Sequence, residues 1–415
     1  MIAFPVDEIR REFPALAAAD SFVFFDNAAG AQVPRRALDA VVDHLVARNV
    51  QRGGPYRRSQ EVDATIARAR ASVADLVNAA SPDEIAFGLN ATSFIRAISL
   101  AVGQTLGDRR EIVVSDLDHE ANVATWMALA RTGARIVWWR VRADGRLHVE
   151  DLDPLLTTST RLVACTVASN ATGTRVDVAG AAARAHAAGA ELFVDAVHYA
   201  PHGPLDVQAL GCDYLVCSGY KIFAPHMGFA WCRPSAIDRL PTFREEFIPD
   251  RMPDKLEAGT YAYENVAGMD AAIEYLADLG RRVAGAQRDR RTAVRAAMEA
   301  IAQYETTLCA AMLDALASVP GAAIHGVADR GALDLRVPTI AFSIDGLGAA
   351  DIARELDARG IGVRHGHMYS PRLMQRLGAA GGVVRASLVH YNTMAEIDRF
   401  REAVWAHTTT ARSRA

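Results

Sequence analysis

Few cysteines, no long apolar run and almost no net charge set the first bounds on this sequence. Its 415 residues include five cysteines: Cys165, Cys212, Cys217, Cys232 and Cys309. The number is odd and no CxxC pair occurs, which argues against a disulfide framework or a zinc ribbon. Four of the five lie in or beside apolar, strand-like runs, where a thiol serves as a small buried hydrophobe; no metal site is expected. The apolar runs stop short of the roughly 20 residues needed to span a bilayer. The N-terminal stretch "MIAFPVDEIRREFP" mixes acids and bases and lacks the apolar centre of a signal peptide. Lys plus Arg is 45 and Asp plus Glu is 49, a net charge of −4. That balance offers no surface for nucleic acid and no patch for a membrane. Together these absences point to a cytoplasmic protein whose partner is a small molecule.

What is present is a globular composition, 51% hydrophobic and 23% charged, in a chain too long for one ordinary core. Helical and strand-like segments alternate from about residue 35 to 235. "RRALDAVVDHLVARNV" and "QEVDATIARARASVADLV" space their apolar residues as helices do. "REIVVSD", "ARIVWWRV", "TRLVACTVAS", "AELFVDAV", "CDYLVCSG" and "MGFAWCR" are short and nearly continuous, as strands buried on both faces are. An α/β fold follows, with a large domain built on a mostly parallel sheet. From about residue 265 the chain turns into helix formers, with Gly280 and Gly285 as expected breaks. "PTIAFSI", "GAADIARELDARG", "IGVRHG", "VVRASLV" and "MAEIDRFREAVWAH" then read as a smaller α+β domain. The expected division is 22–285 for the large domain and 286–415 for the small one, with 1–21 packing against the latter. The tail "TTTARSRA" is expected to fray.

One lysine stands out. In "CSGYKIFAPHMGFAW" Lys221 is surrounded by apolar and aromatic residues, Gly, Pro and His. No acidic residue occurs from Leu215 to Ser235. Such a lysine either snorkels its amine to solvent or, desolvated, becomes a nucleophile toward a carbonyl carbon. The neighbouring strands bear on the choice, because ligands of open α/β sheets gather at the carboxyl ends of the strands. At those ends stand Asp195 and His198, Asn170, His119, the run Asn90, Ala91, Thr92 that opens a helix, and Ser218 with Tyr220. Taken singly, Asp195 could cap a helix and His119 could be structural. Taken together they suit pyridoxal 5'-phosphate. Lys221 would form the Schiff base, and Asp195 would keep the pyridine nitrogen protonated. His119 would lie on the ring face, with His198 and Asn170 on the phenolic-oxygen side. The helix opening at Asn90–Thr92 would seat the phosphate, aided by Ser218 and Tyr220.

The same residues carry a family pattern. "FFDNAAGAQVP", "DHEANVATW", "VASNATGT", "LFVDAVH", "SGYK", "EAGTYAYENVAGMDAAIEYL" and "VVRASLVHYNT" resemble the motifs of the class V aminotransferase superfamily, in its cysteine desulfurase-like branch. The resemblance runs from about residue 22 to 400. It implies the pyridoxal-phosphate transferase fold of type I, with a seven-stranded sheet, and a homodimer in which Thr260 reaches the partner's phosphate site. It also implies that Arg385 binds the substrate carboxylate, with Arg364, Tyr369 and Asn27 nearby.

The pattern departs where desulfurases carry their persulfide cysteine. "VRHGHMYSPRL" places Tyr369 there, and a phenol cannot do the work of a thiolate. His198 and Tyr220 also replace the usual Gln and His. Cleavage of a C–S bond by β-elimination, without a persulfide, is the expected reaction. Aminotransferase, epimerase and decarboxylase chemistry of the same superfamily are the alternatives, and a catalytically silent cofactor-binding protein is the reading outside enzymes. The substrate is expected to be an amino acid or its conjugate.

Overall fold

A computed structural model describes residues 4–18 and 21–412. Seven strands form the main sheet, in the spatial order Ile85–Gly88, Gly228–Cys232, Tyr214–Ser218, Glu191–Asp195, Thr160–Thr166, Glu111–Ser115, Arg135–Trp139. Gly228–Cys232 runs antiparallel to both neighbours; every other pairing is parallel. Both faces are covered, and that explains the continuous apolar runs. Leu192 and Val194 enter one core while Phe193, between them, enters the other. The period of two is present, but burial on both sides hides it in the sequence.

Two long helices, Tyr263–Ala284 and Arg290–Ala317, follow. Gly285 ends the first, as expected. Gly280 does not break it. A Cβ there would lie 1.8 Å from the Ala293 carbonyl oxygen, so this glycine lets the second helix approach closely. Ala293, Val294 and Ile301 belong to the core of the large unit; Leu308, Met312 and Leu316 belong to that of the small one. The core therefore changes within one continuous helix.

The small unit carries a four-stranded antiparallel sheet, ordered Arg364–Gly366, Val383–Ser387, Thr339–Ile344, Ala322–His325. Residues 6–13 touch both units. Phe13 meets the rings of Phe223 and Tyr275 edge-on, and Arg10 pairs with Glu396 at 2.9 Å. Residues 1–3 and 19–20 of that segment lie outside the described residues. The final helix runs from Met394 to Arg412, beyond where fraying was expected, and residues 413–415 lie outside the description. No helix among the described residues is long and apolar enough to cross a membrane.

Candidate active site

The carboxyl ends of the strands converge on a cavity of about 360 Å³. Asp195 and Ser218 are the last residues of their strands, and Lys221 follows on a single 3₁₀ turn, Gly219–Lys221. Thr92 lies in the first turn of helix Ala91–Gly103, next to Ile85–Gly88. Gly228 makes that approach possible. A Cβ at this position would stand 2.5 Å from the backbone of Asn90, so only glycine lets the helix opening sit against the sheet.

Lys221, Asp195, His119, Asn170, His198 and Tyr220 all line the cavity. So do Ala91, Thr92, Ser218, Arg364, Arg385 and Tyr369. Three expected residues do not. Asn90 caps its helix instead, its side chain accepting from the Ser93 N–H at 2.9 Å. Asn27 spends its amide on structure: it donates to Phe24 O and Ser387 O at 2.7 and 2.8 Å and accepts from the Tyr391 hydroxyl. Its side-chain polar atoms are thus engaged within the protein, outside the cavity lining. Thr260 is exposed, accepts from Gln51 at 2.7 Å, and lies away from this chain's cavity.

The electrostatics of the cavity set its chemistry. Lys221 is only 9% exposed. Burial, reinforced by the Arg385 charge, pushes its amine down to about 7. It donates to the Ala28 carbonyl and stands 4.7 Å over the Tyr220 ring. Burial lifts the Asp195 carboxyl to about 6, although the Val197 N–H donates to it at 2.9 Å. His119 is lowered to about 4, first by burial and then by Lys221 and Arg385. Its Nδ1 accepts from the Ala121 N–H at 3.1 Å, so at neutral pH it is an uncharged, flat ring.

The two arginines meet across strands, for Arg364 and Arg385 are register partners. Like charges placed opposite each other repel. Asp26 offsets this by accepting from both, at 2.8 Å from Arg385 and 2.8 Å from Arg364. Asp26 was legible only as part of "DNAA"; nothing in the sequence marked it as the bridge. Two guanidinium cations against one carboxylate leave a net positive end to the cavity.

These residues fit pyridoxal phosphate. Asp195 is the one acid lining the cavity and lacks a cationic hydrogen-bond partner among the described residues, as a pyridinium partner should. The buried His198 Nε2 has no hydrogen-bond partner among them either. Thr92, Ser218 and a helix N-terminus stand together at one end as a phosphate seat.

Comparison with known proteins agrees. The Aminotransferase class-V family profile matches residues 23–400. The chain is 33% identical over 409 residues to aminotransferase-like protein FGM3 of Gibberella zeae, covering 96% of this chain and 97% of that one. It is 33% identical over 423 residues to a probable cysteine desulfurase of Synechocystis, covering 96% and 94%. Among solved structures, the cysteine desulfurase CsdA of Escherichia coli superposes with a TM-score of 0.84 at 29% identity, covering 99% of each chain. With the fold, the cavity and the full-length similarity in agreement, the chain belongs to the class-V aminotransferase family, in its cysteine desulfurase-like branch, and is a pyridoxal 5'-phosphate-dependent enzyme.

Proposed function

We propose that this enzyme is a C–S lyase, removing a β-sulfur group from a cysteine conjugate without forming a persulfide, and that it works as a homodimer. One observation carries the reading: the cavity holds a buried lysine and no thiol. All five cysteines are buried and none lines the cavity.

Pyridoxal phosphate, when bound, supplies an electron sink for the bonds at the substrate α-carbon. Lys221 would hold it, with Asp195 at the ring nitrogen, His119 on the ring face, and Thr92, Ser218 and the helix opening at the phosphate. Arg385 and Arg364 bind the substrate carboxylate, which shares them with Asp26. Lys221 takes the α-proton at Nζ. Its low proton affinity lets it be neutral near pH 7, so it can act as a base there. The Cα–H electron pair becomes a Cα–Cβ double bond as the β C–S bond breaks with its own pair going to sulfur, and water then hydrolyses the released enamine to pyruvate and ammonia. A thiolate leaves readily, since its conjugate acid has a pKa of about 8.5. Asp195, as a carboxylate, would favour a protonated ring nitrogen on the bound cofactor.

The dimer is supported by an apolar stripe on helix Arg35–Arg48, where Leu38, Val42, Leu45 and Val46 are exposed at helical spacing; Thr260 would serve the partner's phosphate site. Five free thiols suit a reducing compartment such as the cytoplasm. The test is to incubate the holoenzyme with S-substituted cysteines and assay pyruvate, ammonia and free thiol. Equal amounts of all three support the proposal. Racemisation alone, a keto acid retaining the sulfur group, or carbon dioxide would assign the enzyme to the epimerase, aminotransferase or decarboxylase alternative.

A further inference from the structure

The turn that carries Tyr369 is strained and pinned from two sides. Met368 and Tyr369 stand at φ +52° and +57°, in the left-handed region that costs a non-glycine residue on the order of 1 kcal/mol or more. Neither is Gly, Asn or Asp, the residues that enter this region readily. The conformation is held by bonds to the site itself. Asn170 Nδ2 donates to the Met368 carbonyl at 2.6 Å, and the Ser370 hydroxyl donates to Asn170 Oδ1 at 3.1 Å. The Glu120 N–H, next to His119, donates to the Tyr369 carbonyl at 2.8 Å. The Tyr369 N–H donates to His367 Nδ1 at 3.1 Å. The phenol is thereby set at the cavity mouth, 58% exposed, with its ring centre 5.7 Å from that of His119.

A glycine would make this turn without strain. A tyrosine held here instead, clamped by a residue of the cofactor cavity, indicates that the direction of its side chain matters. We propose that Tyr369 is the specificity-determining residue of the site, a fixed aromatic wall for the S-substituent of the substrate, so that the enzyme takes cysteine S-conjugates with an apolar or aromatic group in preference to free cysteine. The ring offers its surface to a polarisable sulfur and to an apolar substituent; free cysteine leaves that surface uncovered. The assignment of sulfur rests on the lyase reading; the wall itself does not.

The test separates the two. α-Methyl-S-benzylcysteine and α-methylcysteine have no α-proton to lose and so report binding alone. Their dissociation constants are measured on the holoenzyme by calorimetry. The wild type should prefer the benzyl compound by about tenfold or more. Tyr369→Ala should abolish the preference, and Tyr369→Phe, which keeps the ring, should retain it. An unchanged preference in Tyr369→Ala, or its loss in Tyr369→Phe, would overturn the assignment of the ring as the wall. Pyruvate formation with a preference indifferent to Tyr369→Ala sinks this inference and leaves the lyase reading standing. Absence of pyruvate, with the preference intact and dependent on Tyr369, does the reverse.

Discussion

Removing the Lys221 amine should change how stability responds to pH, and the size of the change can be worked out. The apoprotein amine sits near 7, against about 10.4 for an unfolded lysine. Between those values the unfolded chain holds a proton that the folded one has shed. Stability therefore rises with pH across this window. The gain is complete above the unfolded value, falls away as pH drops toward 7, and is absent below it. Each unit is worth about 1.4 kcal/mol, so from pH 7 to 9.5 the contribution is about 3 kcal/mol. Other groups titrate in the same range, but they do so in Lys221→Met as well. The difference in urea-unfolding free energy between apo wild type and apo Lys221→Met isolates the lysine. At pH 7 the variant should be the more stable, because a desolvated amine has been replaced by an apolar chain. By pH 9.5 the gap should have closed by about 3 kcal/mol. Parallel curves for the two proteins would refute the reasoning, because the amine would then keep its ordinary proton affinity and could not serve as a neutral base near pH 7.

Other consequences are open to direct measurement. Asp195→Asn should weaken cofactor binding on the order of a hundredfold. In the wild type, affinity should fall as pH drops below about 6, where the Asp195 carboxyl takes up its proton, and the variant should lose that dependence; fluorescence titration with pyridoxal phosphate reads both. Arg385→Lys should raise KM about tenfold or more, since an ammonium cannot replace the fork that spans Asp26 and the incoming carboxylate; steady-state kinetics checks this. Gly228→Ala should loosen the phosphate end by pushing a methyl into the Asn90 backbone, 2.5 Å away, seen as faster cofactor loss on dialysis. Tyr369→Cys should not confer sulfide release from free cysteine, because Asn170 and Glu120 still pin the turn; methylene-blue assay of sulfide tests it.

The large sheet was legible because strands buried on both faces must be apolar throughout, and its carboxyl ends could be read as soon as the strands were placed. Lys221, Asp195 and His119 were legible for the same reason. Asp195 ends its strand, His119 and Lys221 follow theirs within four residues, and each is of a type with an obvious use. The misreadings came from contacts between distant segments. Gly280 resembles a helix breaker until Ala293 is brought against it. Asn27 was expected near the substrate from the family resemblance, but folding commits its amide to Phe24, Ser387 and Tyr391. The bridging role of Asp26 depends on two arginines more than 330 positions away. The left-handed pair Met368–Tyr369 has no signature, because nothing in those residue types favours the conformation; Asn170 and Glu120 impose it.

The central claim is that Lys221 forms the covalent link to pyridoxal phosphate. Lys255 is the only other lysine in the chain, and it is buried in a pair with Asp250 at 3.0 Å. Borohydride reduction of the cofactor-loaded enzyme, followed by peptide mass spectrometry, therefore gives an unambiguous readout. The account predicts a reduced phosphopyridoxyl group on the peptide containing Lys221 and none on that containing Lys255. The label on Lys255, or no label on a protein that has bound the cofactor, would contradict it.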